Sequence, residues 1–247
     1  MKAFWILLKN ECKLNIRNMN MVIFAVIMPL IVLLILGLIY GMKPMFKGAE
    51  YTFMEQSFGA LCAISICAGG LMGLPLVVSE YRERKILKRF QVTPISPVIL
   101  LAVEFTIYVL YCGVSMLTLA IAGMLFWKIR ISGTWTCFLG SWLLTMASTL
   151  SIGMMVGGIA KNTKTASVIA CALYFPMLIF SGATLPFELL PDSVQKAISI
   201  FPMTQGIRLM KAAFLGLPVQ NISLPVITMG TVTIICIGIS ILFFKWE

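Results

Sequence analysis

The chain has 247 residues, of which 60% are hydrophobic and only 11% charged, and its mean hydropathy is +1.00. Soluble domains carry about 25% charged residues, so a soluble fold is excluded, and the length suits six membrane-crossing helices with short loops. The formal net charge of +10 stands beside apolar runs and forms no soluble basic face. The expected partner is therefore a lipid bilayer surface, with no nucleic acid.

Residues 2–17 predict an amphipathic helix lying on the membrane. At helical spacing Trp5, Leu8, Cys12 and Ile16 share a stripe, and Lys9, Lys13 and Arg17 line its flank, which is what an interfacial helix needs. The plainer alternative is a basic terminus that only holds this end inside. Residues 21–40 form the first predicted span, uncharged and long enough for the roughly 30 Å hydrocarbon core, with Pro29 as a point for a kink. A short loop leads to a second span over 57–78. Its Gly69 and Gly73 allow close helix approach, within one protomer or in a dimer.

The stretch SEYRERKILKRFQVTPISP, residues 79–97, holds Arg82, Arg84, Lys85, Lys88 and Arg89 against Glu80 and Glu83. It cannot cross lipid and must lie at a membrane face. As a helix it pairs Glu80 with Arg84 at i,i+4, whereas Arg84 with Lys88 and Lys85 with Arg89 repel. Pro94 and Pro97 end any such helix. Two uses remain open: a positive-inside anchor, or a coupling helix that receives force from a cytosolic motor.

The third span covers 98–127, with Glu104 near its start. An intramembrane carboxylate is a functional candidate by default, but residues 105–127 already suffice to cross, so Glu104 is expected at the cytoplasmic interface. The fourth span, 136–160, repeats small-residue spacing at Gly153 and Gly157. KNTKT (161–165) is a basic loop, and the fifth span covers 166–181. Residues 184–222 are long and too apolar for a solvated loop, and prolines break them into pieces. Ile207, Met210, Phe214 and Leu217 share one helical side. Short helices dipping into the outer leaflet explain the pattern if protein or water covers their backbone; a pair of helices lying on the surface is the alternative. The sixth span is 224–244. With both termini inside, the inner segments hold twelve cations and the outer loops seven, which favours that orientation.

Several chemistries are excluded. The sequence has no histidine, hence no imidazole acid–base pair or metal ligand. It has a single aspartate, Asp192, and no GxxxxGK[ST] phosphate loop. Its seven cysteines show neither CxxC spacing nor a paired framework. Neither a metal site nor catalysis is expected.

The order of motifs resembles the type-2 permeases of ATP-binding cassette (ABC) exporters. Their cytoplasmic signature has a Glu-Arg-Glu-like start, a Leu-x-Arg-apolar core and a Thr-Pro or Ser-Pro end. Glu80, Arg82 and Glu83, then Leu87 to Phe90, then Thr93 and Pro94 match it. SGATLPFELLP (181–191) and FPMTQGIRLMK (201–211) resemble the external re-entrant region of the same family. Where that family usually has glycine and a small hydroxyl residue, this chain has Lys85 and Ile86, so an uninterrupted helix is expected there in place of a turn.

The resemblance implies an all-α polytopic membrane protein with an elbow helix over 2–17, six transmembrane helices, a cytoplasmic coupling helix over 80–96 and an external re-entrant segment over 184–222. It implies ATPase-coupling residues Glu80, Arg82, Glu83, Arg84, Lys88, Arg89, Thr93 and Pro94. It also implies an external hinge drawn from Ser181, Gly182, Pro186, Glu188, Pro191 and Pro202. The subunit would sit in the cytoplasmic membrane with a second protomer, identical or related, and two cytosolic ATPase subunits. Those subunits would bind ATP and magnesium, leaving no cofactor on this chain. Family substrates range from drugs and peptides to glycolipids and polysaccharides; apolar spans with few fixed charges lean towards an amphipathic drug, peptide or lipid-linked compound. The alternative is a self-contained secondary transporter or channel, which would show inverted repeats and buried ionisable residues. No repeat is evident, and Glu104 is the only carboxylate within a span.

Overall fold

The computed structural model describes residues 2–17, 19–44, 51–86, 97–181, 191, 195–196, 198–218 and 222–243. Eight helices organise them. Helix α1 is Lys2–Arg17, and α2 joins Met19–Val22, a π-helical turn Ile23–Ile27 and Met28–Tyr40. Helix α3 runs Phe53–Glu83 with a π-helical turn at Ala68–Gly73. Then come α4 (Pro97–Trp127), α5 (Trp135–Ile159), α6 (Thr163–Phe180), α7 (Pro202–Leu215) and α8 (Ser223–Phe243). Among the described residues the only β pairing is one isolated bridge, Pro44 to Thr52.

Six of the helices, α2 to α6 and α8, are long and apolar enough to cross a membrane, as the sequence predicts. They are not equivalent. In the most apolar stretch of α3 78% of residues are buried, and in α5 67%, against 17–22% in the other four. Helices α3 and α5 are therefore the inner pair. The outer helices turn residues such as Leu38, Leu125, Ile234 and Leu242 outward, a surface that suits lipid and would be an aggregation hazard in water.

Glycine sets how closely the inner pair approach. A Cβ on Gly153 would collide with the backbone oxygen of Gly70, and one on Gly157 would stand 2.8 Å from Val78 Cβ. On the other side of α3, Tyr108 of α4 lies over Gly69 and Gly73. Both small-residue pairs seen in the sequence are thus used inside one protomer.

Two prolines, Pro29 and Pro75, are absorbed by the π-helical turns that precede them. Pro29 brings no N–H to the carbonyl four residues back, that of Ala25. The Ser65 hydroxyl of α3 donates to this oxygen at 2.6 Å, so the carbonyl is satisfied by a neighbouring helix. Pro75 follows the second such turn in the same way.

At one end of the bundle the loops are pinned. Trp127 Nε1 donates to Gly37 O at 3.0 Å, Arg130 N to Glu55 Oε1 at 3.2 Å, and Ser132 N and Gly133 N both to Phe214 O at 3.0 Å. Thr52 and Glu55 form a capping box that starts α3. Phe58, Phe138 and Phe214 form a ring cluster, with centroids 4.8–5.7 Å apart. Helix α7 is buried along most of its length. Its Gly206 lies against Thr145, the eleventh residue of α5, so α7 reaches about 15 Å along the inner pair from this end.

Two expectations change. The charged segment is not one helix: α3 stops at Glu83, Arg84 N bonds back to Glu80 O at 2.9 Å, and Lys85 takes a left-handed φ of 53°. The turn that glycine would make is made here by lysine, a conformation that costs a non-glycine residue roughly 1–2 kcal/mol. In α1, Leu8 and Cys12 are half-buried while Trp5 and Ile16 are exposed. The packed side is defined instead by Leu7, Leu8, Glu11, Cys12 and Asn15.

Candidate functional site

The end of the bundle opposite Trp127 carries the charged segment. Three consecutive residues there, at the close of α3, reach four other helices. Tyr81 Oη lies 2.8 Å from Glu11 Oε2 on α1 and 2.8 Å from Glu104 Oε1 on α4. Arg82 Nη1 donates to Gly158 O at 3.2 Å and to Ala160 O at 3.3 Å, the last carbonyls of α5. A cation is favourable there because a helix ends in unpaired carbonyls and a partial negative charge. Glu83 Oε2 accepts from Thr163 N at 2.8 Å and Thr163 Oγ1 at 2.6 Å, at the first turn of α6. An anion is favourable at that end for the converse reason. Asn162 completes the start of α6 by accepting from Thr165 N at 2.8 Å.

Arg82 and Glu83 therefore hold the two ends of the Lys161–Asn162 turn, one helix C-terminus and one helix N-terminus. Ser79 is fully buried beneath them. The face turned outward carries Glu80 and Arg84, an exposed i,i+4 pair at 2.8 Å, followed by exposed Lys85. Such a pair is worth little in stability; what it offers is charge that a partner surface can meet.

The candidates read from sequence divide accordingly. Glu80, Arg82, Glu83 and Arg84 are brought together at this junction, with Arg82 and Glu83 turned to the protein's own helices and Glu80 and Arg84 to the outside. Lys88, Arg89, Thr93 and Pro94 lie outside the described residues, as do Gly182, Pro186 and Glu188 of the expected hinge. Ser181 is buried and ends α6, Pro191 is exposed, and Pro202 starts α7; they are not brought to the charged junction. Glu104 lies near the start of α4. It is fully buried, and its Oε2 has no hydrogen-bond partner among the described residues. Helix α4 has 31 residues, about 46 Å, so it outlasts the hydrocarbon core and keeps Glu104 near its end while protein covers it.

Glu11, Tyr81 and Thr163 escaped the sequence reading. Glu11 is an acid inside a basic helix, one turn before Asn15, and its place opposite the lysines was the available signal. Tyr81 stands between the two carboxylates of the charged motif. KNTKT reads as a basic loop by composition, yet Asn162 followed by Thr163 is also a helix start.

A family model described as "ABC-2 type transporter" matches residues 2–215. The chain therefore belongs to the ABC-2 type transporter family, whose members are multi-pass membrane permeases. It is 27% identical over 163 residues to the inner membrane transport permease YhhJ of Escherichia coli, covering 63% of this chain and 42% of that protein. It is 31% identical over 74 residues to nodulation protein J of Rhizobium leguminosarum bv. viciae, 30% of this chain and 29% of that protein. The corresponding protein of Neorhizobium galegae matches at 31% over 81 residues, 33% of this chain and 31% of that protein. The chain thus spans less than half the length of these relatives.

Proposed function

We propose that this chain is the membrane permease subunit of an ABC exporter, driven by a separate cytosolic ATPase that binds ATP and magnesium. It works as a dimer with an identical or related permease chain. Both termini and the Ser79–Ile86 junction face the cytoplasm, in line with the cation count. The observation that carries this reading is the junction itself. Tyr81, Arg82 and Glu83 tie α1, α4, α5 and α6 to one short segment, while Glu80, Arg84 and Lys85 face outward. A push on that outer face reaches every helix it is bonded to, which is what coupling to a motor demands. An anchor that only sets topology would need cations and no such bonding.

The substrate is an amphipathic drug, peptide or lipid-linked compound. Supporting this is a cavity of about 370 Å³ between α4, α5 and α8, lined by Phe105, Met154 and Ile237 with the hydroxyl residues Thr106, Ser151 and Ser240. A mostly apolar wall with a few polar groups suits such a ligand.

The test is reconstitution with and without the partner ATPase. Export that needs both proteins and ATP is expected. Uptake or efflux by the purified chain alone, driven by an ion gradient, would establish a secondary transporter instead.

A further inference from the structure

The hydrogen bonds at Tyr81 do not balance without an additional proton. A phenol has one hydrogen to give, and an ionised carboxylate only accepts. Yet Tyr81 Oη stands 2.8 Å from Glu11 Oε2 and 2.8 Å from Glu104 Oε1. If it donates to one carboxylate, the other contact sets two bare oxygens face to face at hydrogen-bond distance. A hydrogen on one carboxyl removes the conflict, because that carboxyl then donates to the phenol oxygen.

Burial points the same way. Glu104 is fully buried and its Oε2 has no hydrogen-bond partner among the described residues. Among the described residues neither Glu104 nor Glu11 forms an ion pair. Among the described residues the other titratable groups around them are Cys12 on α1 and Tyr108, Tyr111 and Cys112 on α4, none of which is a cation. Lys9 and Lys13 of α1 are exposed, Arg82 reaches to α5, and α2 and α5 bring no charged side chain to this place. A buried carboxylate with no cation beside it is costly, and a proton shared with the half-buried Glu11 relieves it. The polar stripe continues along α4: Tyr108 and Tyr111, at helical spacing from Glu104, each bury a hydroxyl that has no partner among the described residues.

We propose that Glu11, Tyr81 and Glu104 form a proton-binding site, in which one proton shared between the two carboxyls closes a carboxyl–phenol–carboxyl bridge that clasps α1 to α3 and α4. When base removes the proton, both carboxylates compete for the single phenol hydrogen and repel each other, and the clasp loosens. The site lies at the same junction as the proposed coupling segment, but its occupancy depends on neither an ATPase nor a substrate.

The experiment is an infrared pH titration of the purified full chain in lipid nanodiscs. A protonated carboxylic acid has a carbonyl stretching band that a carboxylate lacks. The wild-type chain is expected to show such a band that bleaches as pH rises, with release of one proton per chain from this site. Glu104→Gln and Glu11→Gln are each expected to abolish it, since with one carboxyl gone the phenol hydrogen suffices. Absence of the band in folded wild-type protein, or its persistence unchanged in both variants, would overturn the proposal.

Discussion

At the scale of single residues, the junction shows how neighbours in sequence take opposite duties. Arg82 and Glu83 are adjacent, yet each serves the helix end whose partial charge it complements. Removing either should free the Lys161–Asn162 turn. Arg82→Ala and Glu83→Ala are expected to raise tryptic cleavage at Lys161 and Lys164 severalfold in membranes with that face exposed, while Arg84→Ala leaves it unchanged. Equal cleavage in all three would mean that the turn holds without them. Ser65 makes a second residue-level case. Its hydroxyl satisfies the Ala25 carbonyl beside Pro29, so Ser65→Ala should cost about 1 kcal/mol, the usual size of a hydrogen bond between membrane helices. Unfolding in mild detergent measures it, and no loss would show that the π-helical turn satisfies Ala25 unaided.

At the scale of helices, the inner pair is a contact of backbones and leaves no room for added atoms. Gly153→Ala would force α5 away from Gly70, and overpacking of this kind costs about 1–3 kcal/mol. Gly140 of the same helix has nothing within 4 Å of an added Cβ, so Gly140→Ala is the matched control and should be neutral. Comparable unfolding of the two variants would contradict the packing. The six spans were legible because length and uniform apolarity alone define a crossing helix. The glycine pairs were legible as close contacts, but not which helix each would meet, since 60% of residues are hydrophobic and no polar face marks the inside. The stop at Glu83 was not legible, because lysine at a left-handed position leaves no composition signal of the sort glycine leaves. The burial of Glu104 was missed for a related reason. Span length fixes depth in the membrane but says nothing about which neighbour covers a residue, and here the cover comes from α1 and Tyr81, far away in sequence.

For the whole molecule, the two ends differ in kind. One is closed by the Trp127–Gly37 contact, the aromatic cluster and α7; the other gathers the charged junction. Gly133 and Lys164 stand at opposite ends of α5, so reporter fusions after Gly133 should report the outside and after Lys164 the cytoplasm. The same side for both would remove α5 from the list of spans. The central claim is that the junction passes force from an ATPase to the helices. Its most direct test is substrate-stimulated ATP hydrolysis by the co-purified complex carrying Arg82→Ala, with membrane abundance and ATPase co-purification measured on the same samples. The outward face proposed to meet the partner, Glu80 with Arg84, is intact in this variant, so normal abundance and normal co-purification are expected. Stimulation by substrate should fall to the basal rate, because the push no longer reaches α5. Wild-type stimulation in that complex would contradict the account and leave the segment as a positive-inside anchor.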